Sequence, residues 1–147
     1  MKLSTRSRYG VRLMLALGTG EKPGPTLLKD VARREQISEK YLSQIIIHLK
    51  AKGLVHASRG AHGGYELARP AAEITLREIV EPLEGDLCLV DCILRPASCP
   101  RSATCATRDV WGAMNTMILD YLDTITLEDL VRKHRGKLGD AGIDFAI

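Results

Sequence analysis

The chain has 147 residues, enough for one compact domain or a small domain with a dimerising extension, and its first apolar stretch, residues 11–17, is too short to cross a bilayer. No export cleavage site follows that stretch, so we expect a cytoplasmic protein in a reducing compartment, where structural disulfides are disfavoured. Residues 1–75 carry 13 Lys and Arg against 6 Asp and Glu, and residues 76–147 carry 8 against 12; the basic first half favours a polyanionic partner, unless its charge serves only solubility.

Three helices are predicted in the first third of the chain. Apolar residues at spacings of three and four predict an amphipathic helix over residues 4–17, after which glycines and prolines, including Pro23, break the chain. Thr26 is predicted to cap a short second helix, and Ser38 a third that extends to about residue 52. The apolar stripe of the third helix comprises Leu42, Ile45, Ile46 and Leu49.

The second and third helices, joined by a tight turn, are typical of a helix-turn-helix, because the third exposes hydrogen-bonding side chains. The glycine-rich segment at residues 59–64 lies between two short predicted strands, which indicates a β-hairpin with a basic tip. The predicted fold is therefore mostly α with a small β-hairpin wing: a winged helix-turn-helix followed by a long helix. A nucleotide-binding loop does not fit, since strands flank the glycines and no G-x-x-x-x-G-K motif occurs.

Groove chemistry divides the candidate DNA-binding residues into two groups. Lys40, Ser43 and Gln44 are predicted to reach base edges in the major groove, where amide and ammonium groups distinguish bases. Ser38, Tyr41 and Arg59 are predicted to fix the register on phosphates or in the minor groove, and His62 is a further DNA-binding candidate. The full predicted set is Ser38, Lys40, Tyr41, Ser43, Gln44, Arg59 and His62. Each of them could instead be an ordinary surface side chain.

Four cysteines lie within eighteen residues, and the chain contains no others. Nearby Gly85, Pro96 and Pro100 predict a segment outside helix and strand. The spacing C-x3-C-x6-C-x5-C lacks the C-x2-C pairs of zinc ribbons and fits an iron–sulfur cluster held by thiolates. The alternative is a local disulfide knot, which a reducing compartment disfavours. The four are Cys88, Cys92, Cys99 and Cys105.

The second half of the chain predicts two more helical regions around this segment. Thr75 and Glu78 match a capping box that starts a short helix ending at Gly85, and a further short helix restarts at Thr126. Between them a long helix carries a broad apolar stripe, which a second subunit could cover in a symmetric homodimer or which could pack within its own chain. The tail from His134 contains three glycines and is expected to be loosely ordered. The stripe comprises Val110, Trp111, Met114, Met117, Ile118, Tyr121, Leu122 and Ile125.

In this order, wing, cysteine segment and long helix resemble the Rrf2 family of bacterial transcriptional regulators over nearly the whole chain. The resemblance depends on the cysteine trio Cys92, Cys99 and Cys105 and on the segments MKLSTRSRYGVRLML, ISEKYLSQIIIHLKAKGLV, SRGAHGGYEL and TITLEDL. It implies a homodimeric transcription factor whose trio holds a cluster that controls its affinity for double-stranded DNA. A 2Fe–2S cluster is preferred over 4Fe–4S, and the signal would be iron–sulfur, iron or redox status, including oxygen and nitric oxide.

Three positions depart from the cluster-binding members of that family. Arg108 stands where these members have a histidine ligand, and Arg8 stands where nitric-oxide sensors have an aspartate. The fourth ligand is therefore open: Cys88, a hydroxide, a small thiol or a residue of the other subunit. Ser43 replaces a glutamate that helps relatives discriminate operators, so the preferred operator should differ.

The predicted domain division follows these features: a DNA-binding domain at residues 1–84, a cluster-binding loop at 85–106, the dimer helix and a short helix at 107–131, and a flexible tail at 132–147. Two alternatives are a regulator of the same fold that uses free thiols or zinc, and a cysteine-metabolism regulator that acts through a protein partner. An enzyme is the least favoured class, because the sequence offers no nucleophile–base pair.

Overall fold

Helices dominate the computed structural model, which describes residues 2–20, 24–60 and 62–143. Its only sheet in those ranges is a two-stranded antiparallel hairpin, so the predicted winged helix-turn-helix fold is confirmed. No helix within the same ranges is both long and apolar enough to cross a membrane. The elements are α1 (Thr5–Gly18), α2 (Leu28–Glu35), α3 (Glu39–Ala51), β1 (Val55–Ser58), β2 (Gly64–Leu67), α4 (Leu76–Glu84), α5 (Asp91–Leu94), α6 (Ala106–Thr124) and α7 (Leu127–Ile143).

Helix α1 lies at the centre of the core, because it packs against α3, α4 and α7. Leu13 and Met14 are fully buried on it. Gly10 permits a close approach to α4: a Cβ atom at this position would lie 2.1 Å from Cδ1 of Leu83. The N-terminus of α1 is fixed to α4 as well, since the Ser4 amide donates to Glu84 Oε1 at 2.6 Å.

The turn between α2 and α3 has the geometry that a helix-turn-helix requires. Gln36 ends α2 in the left-handed conformation with φ of 53°, and Ser38 caps α3 as predicted. Thr26 does not cap α2, contrary to prediction; the N-cap is Leu27, which makes no side-chain bond. The reason is that the Thr26 backbone pairs with Tyr65, exchanging hydrogen bonds of 2.8 and 2.9 Å.

The wing is a tight hairpin whose register pairs Val55 with Leu67 and Ser58 with Gly64. Glycine is required where the turn meets β2: a Cβ at Gly64 would lie 2.7 Å from the Thr26 carbonyl oxygen, and one at Gly63 would lie 2.5 Å from that of Ser58. An isolated bridge between Thr26 and Tyr65 joins the hairpin to the segment just before α2. The predicted tip includes Ala61, which lies outside the described residues, as does Pro23 in the break before α2.

Two helix starts lie side by side where the two halves of the chain meet. Thr75 and Thr126 form an antiparallel bridge, with backbone bonds from Leu76 to Ile125 at 2.7 Å and from Leu127 to Ile74 at 2.8 Å. The capping box predicted at Thr75 is confirmed, and Thr126 makes the equivalent reciprocal bonds with Asp129. The beginnings of α4 and α7 are thus coupled through one short stretch of paired backbone.

Helix α7 is longer than predicted, since it continues to Ile143 where we expected a loose tail from His134. Val131 anchors it, being 5% exposed and packed beside Gly18. The three glycines weaken a helix by about 1 kcal/mol each relative to alanine, but no proline interrupts the segment and good helix formers surround them. Residues 144–147 of the predicted tail lie outside the described residues.

Candidate DNA-binding surface and cysteine segment

The outer face of α3 carries the predicted base-reading residues. Lys40, Ser43 and Gln44 are all exposed, and their spacing of three and four places them on one face, opposite the buried stripe. Ser43 donates its hydroxyl proton to the carbonyl oxygen of Glu39 at 2.9 Å. Its hydroxyl therefore remains available mainly as an acceptor, whereas Lys40 and Gln44 keep their donors.

Ser38 and Tyr41, predicted to contact phosphates, also build the start of α3. The exposed Ser38 hydroxyl accepts the Tyr41 amide at 3.3 Å. The Tyr41 ring is half-buried and meets Tyr9 edge-on, with centroids 5.8 Å apart. Their contact with DNA stays a prediction, but the Ser38–Tyr41 hydrogen bond fixes where α3 begins.

Sequence reasoning missed Ile47, whose side chain is 65% exposed on α3. The sequence prediction covers only the buried stripe and the polar residues of α3, although Ile47 lies three and four residues after Gln44 and Ser43. That spacing was the signal that could have placed it on the outer face.

Arg59 and His62 are exposed in the turn of the wing, on either side of Gly60. The turn is closed by the Gly63 amide, which donates to the Gly60 carbonyl at 3.0 Å. Two cationic or hydrogen-bonding side chains thus project from a narrow hairpin, a shape that can enter a DNA groove. Their role as DNA contacts stays a prediction.

The cysteine segment is more structured than predicted, but it does not gather its thiols. Cys92 lies within α5, a single helical turn, because its local backbone bonds form despite Pro96; two further 3-10 turns follow, at Pro96–Ser98 and Ser102–Thr104. All four cysteines are free and half-exposed. In the described parts of the chain, no three His, Cys, Asp or Glu side chains lie close enough to hold one metal ion. The predicted ligand set therefore stays a prediction.

The surroundings of Cys105 change the pKa of its thiol. Cys105 is the N-cap of α6, and its sulfur lies 3.1 Å from Oγ1 of Thr107. That hydrogen bond, then the Arg108 backbone amide, and finally the charge of Arg101 lower the pKa of the Cys105 thiol. The thiolate, the form that binds metals and attacks electrophiles, is thus favoured here.

Two side chains of α6 hold the cysteine segment. The sequence prediction did not assign this role to either of them. Arg108 donates from Nε to the Cys92 carbonyl oxygen at 2.9 Å. Asn115, only 8% exposed, accepts the Leu89 amide at 2.9 Å through Oδ1. An asparagine within the apolar stripe of a long helix was the available signal, since such a residue is buried only with a partner.

The residues of the apolar stripe predicted for the long helix lie in two different environments. Ile118, Leu122 and Ile125 are half-buried against the rest of the chain. The other five are exposed by 39–71%, namely Val110, Trp111, Met114, Met117 and Tyr121. The described chain therefore leaves one face of α6 without an apolar partner.

A winged helix-turn-helix with polar side chains on the outer face of α3, followed by a thiol-rich segment and a long helix, is typical of a class of DNA-binding regulators. The family model for Rrf2, described as an iron-dependent transcriptional regulator, matches residues 3–133. The chain belongs to the Rrf2 family of transcriptional regulators. The resemblance inferred from the sequence is thus confirmed.

Several characterised relatives are similar over most of this chain. Protein rrf2 of Nitratidesulfovibrio vulgaris is 42% identical over 132 residues, covering 90% of this chain and 88% of that protein. The structure of CymR, the global cysteine regulator of B. subtilis, has a TM-score of 0.77 at 35% identity and covers 90% of this chain and 98% of that one. The structure of T. potens IscR has a TM-score of 0.74 at 36% identity, covering 91% and 88%.

Proposed function

We propose that the protein is a homodimeric, cytoplasmic, iron–sulfur-cluster-dependent regulator that binds double-stranded DNA operators and has no enzymatic activity. In this proposal α3 enters the major groove and the wing contacts the adjacent backbone or minor groove. The observation that carries the DNA-binding part is the outer face of α3, where Lys40 and Gln44 are exposed beside Ser43. Bases are distinguished in the major groove by such donors and acceptors.

The homodimer is supported by the uncovered apolar face of α6. Met117 and Tyr121 are 71% and 63% exposed, and Trp111 lies two turns earlier in the helix. A contiguous apolar patch of this kind marks an interaction site more often than free surface. A second copy of α6 would cover it symmetrically and would place two recognition helices on successive major grooves.

Cys92, Cys99 and Cys105 are the proposed cluster ligands, with 2Fe–2S preferred over 4Fe–4S. Their chemistry fits, since all three are free thiols within reach of solvent and Cys105 favours the thiolate. Arg108 cannot be the fourth ligand, because a guanidinium group has only hydrogen-bond donors and no free electron pair for a metal. Its Nε donates a hydrogen bond to the Cys92 carbonyl oxygen. Since the thiols are not gathered, cluster binding requires the segment to rearrange. The bound cluster would supply a signal-sensitive inorganic core.

The segment is well placed to influence DNA binding, because contacts lead from it to the wing. Its anchor helix α6 is joined to α4 by the Arg77–Asp123 ion pair at 2.8 Å. Helix α4 is joined to the end of the wing by Arg69, which pairs with Glu78 at 2.6 Å. A two-state segment biased by the cluster would need a coupling of only about 1–3 kcal/mol.

The test is selection of bound DNA from random sequence with cluster-loaded and empty protein, prepared anaerobically with and without iron and sulfide. We expect one operator class whose affinity differs between the two forms and weakens with salt, because phosphate contacts release counterions. Equal affinity in both forms would remove the sensing proposal and leave a DNA-binding regulator. Failure to select any sequence would remove the DNA-binding proposal itself.

Single cysteine variants test the ligand set in the same preparation. Each of the variants Cys92→Ala, Cys99→Ala and Cys105→Ala should reduce bound iron and visible absorbance to background, because each removes one of the three proposed thiolate ligands. Cys88→Ala decides the fourth ligand: loss of iron assigns it to Cys88, and retention leaves hydroxide, a small thiol or a partner residue. Retained iron in all three trio variants would contradict the proposed site.

A cluster-free regulator of the same fold is the second candidate, in which the thiols respond to oxidants or bind zinc. The observation in its favour is that the described thiols are not gathered while Cys105 has a lowered pKa. The similarity to CymR, described as a cysteine regulator, points the same way and allows a role in cysteine metabolism through a protein partner. Iron content after anaerobic reconstitution separates this candidate from the first.

A further inference from the structure

Ile47 is the most exposed large apolar side chain in the described part of residues 2–84, at 65%. The other branched apolar residues of α3 are at most 3% exposed. A single exposed isoleucine is ordinary on a protein surface. Its place on α3 is what makes it informative, because it lies seven residues after Lys40 and three after Gln44, on the face that points away from the core.

The chemistry of that face leaves one feature of a base pair for Ile47 to recognise. Lys40 and Gln44 offer polar groups, but an aliphatic side chain in the major groove is complementary only to the C5-methyl group of thymine. Against the polar edge of another base it would displace water without replacing the lost hydrogen bonds, which is unfavourable. Attraction to thymine and exclusion of other bases therefore act together.

The turn of α3 that carries Ile47 is held in place. Ile46 and Leu49 fix this turn of α3 in the core at 3% and 0% exposure. Isoleucine is β-branched and has one strongly preferred χ1 rotamer in a helix, so little conformational entropy is lost when it meets a base.

We propose that Ile47 is a specificity residue that contacts a thymine methyl group in each half-site of the operator. This inference rests on the proposed DNA binding through α3 and adds the identity of one base. It gives the third turn of α3 a reading role beyond that of the polar residues before it.

The test replaces each thymine of the selected operator, one at a time, with deoxyuridine, which removes the methyl group and keeps the pairing. Wild-type protein should bind one such substituted position per half-site roughly fourfold more weakly, the effect of losing one buried methyl group. Ile47→Ala should bind that substituted operator and the parent equally. Ile47→Val should keep most of the discrimination, and Leu138→Ala, an equally exposed aliphatic change on α7, should keep all of it.

Four outcomes decide the inference. A thymine whose methyl effect disappears in Ile47→Ala supports it. An operator on which no thymine methyl affects wild-type binding, or on which the effect survives in Ile47→Ala, overturns it while the DNA-binding proposal stands. If no operator is selected at all, the proposed function fails and this inference fails with it.

Discussion

Arg108 donates a hydrogen bond from Nε to the carbonyl oxygen of Cys92 across 2.9 Å, which ties the first turn of α6 to the helical turn that carries a predicted ligand. Arg108 stands where the family resemblance led us to look for a histidine ligand. In this chain the residue at that position therefore forms a hydrogen bond with the backbone of the cysteine segment and does not provide a metal ligand. The contact gives the segment a defined starting conformation and gives α6 a direct connection to it.

Removing this contact should loosen the cysteine segment without unfolding the protein. In Arg108→Ala, amide exchange in residues 90–99 should accelerate about two- to thirteenfold, since one hydrogen bond is worth about 0.5–1.5 kcal/mol. The thermal midpoint should stay near that of the wild type, because the buried core of α1 to α4 is untouched. Arg101→Ala, which removes an exposed arginine of the same segment, is the matched control. Identical exchange in the two variants would show that the Arg108 bond does not hold the segment.

The proposed homodimer through the apolar face of α6 can be tested by changing one residue on that face. A glutamate at Met117, which is 71% exposed in the single chain, should shift the protein from dimer to monomer, because an unpaired charge cannot be buried in an apolar interface without a large cost. Sedimentation velocity at micromolar concentration measures the change. Ile47→Glu introduces the same charge at a similar exposure on α3 and should leave the dimer intact. A dimeric Met117→Glu protein would place the interface elsewhere.

The helices α1 to α4 and the hairpin were predictable because their signals are local, whereas α5 and the second half of α7 were not predicted. Ser38 and Thr75 are recognisable caps, and the stripe of α3 repeats with helical period. Thr26 was assigned wrongly because its backbone is committed to Tyr65, a residue 39 positions away that no local pattern reveals. The arrangement of the cysteine segment could not be predicted either, since its contacts with α6 involve residues distant in sequence: Arg108 donates to the Cys92 carbonyl, and Asn115 accepts the Leu89 amide.

The start of α7 should respond to acid through Asp129. Its carboxylate accepts the Thr126 amide at 2.9 Å and the Thr126 hydroxyl at 2.8 Å, and Arg132 pairs with it at 2.6 Å. The Thr126 amide, then its hydroxyl, then Arg132 lower the pKa of Asp129 from 3.8 to about 2. Because the folded pKa is below the unfolded one, the contribution to stability is complete above about pH 4 and is lost as the pH falls through 2.

Asp129→Ala should therefore be less stable than the wild type near neutral pH, and the difference should narrow as the pH falls from 4 toward 2. Urea unfolding followed by circular dichroism at each pH measures it. Glu128→Ala is the control, since it removes the adjacent, exposed carboxylate of the same helical turn. A stability difference for Asp129→Ala that is independent of pH over this range would assign the effect to something other than the carboxylate charge.

Two glycine-to-alanine changes, one in the close contact of α1 with α4 and one on the open surface of α6, should have opposite effects on the stability of the fold. The Cβ of Gly10→Ala would lie 2.1 Å from Cδ1 of Leu83, a buried side chain with little room to move, so the variant should lose about 1–3 kcal/mol of stability through overpacking. Gly112→Ala on α6 meets no atom within 4 Å and should gain up to about 1 kcal/mol from helix propensity. Thermal or urea unfolding of both proteins measures the contrast.

Leu83→Ala should lower the free energy of unfolding less in the Gly10→Ala background than in the wild type, because the new methyl group fills part of the space that the leucine side chain leaves. Additive losses would mean that α1 and α4 separate instead of sharing that space.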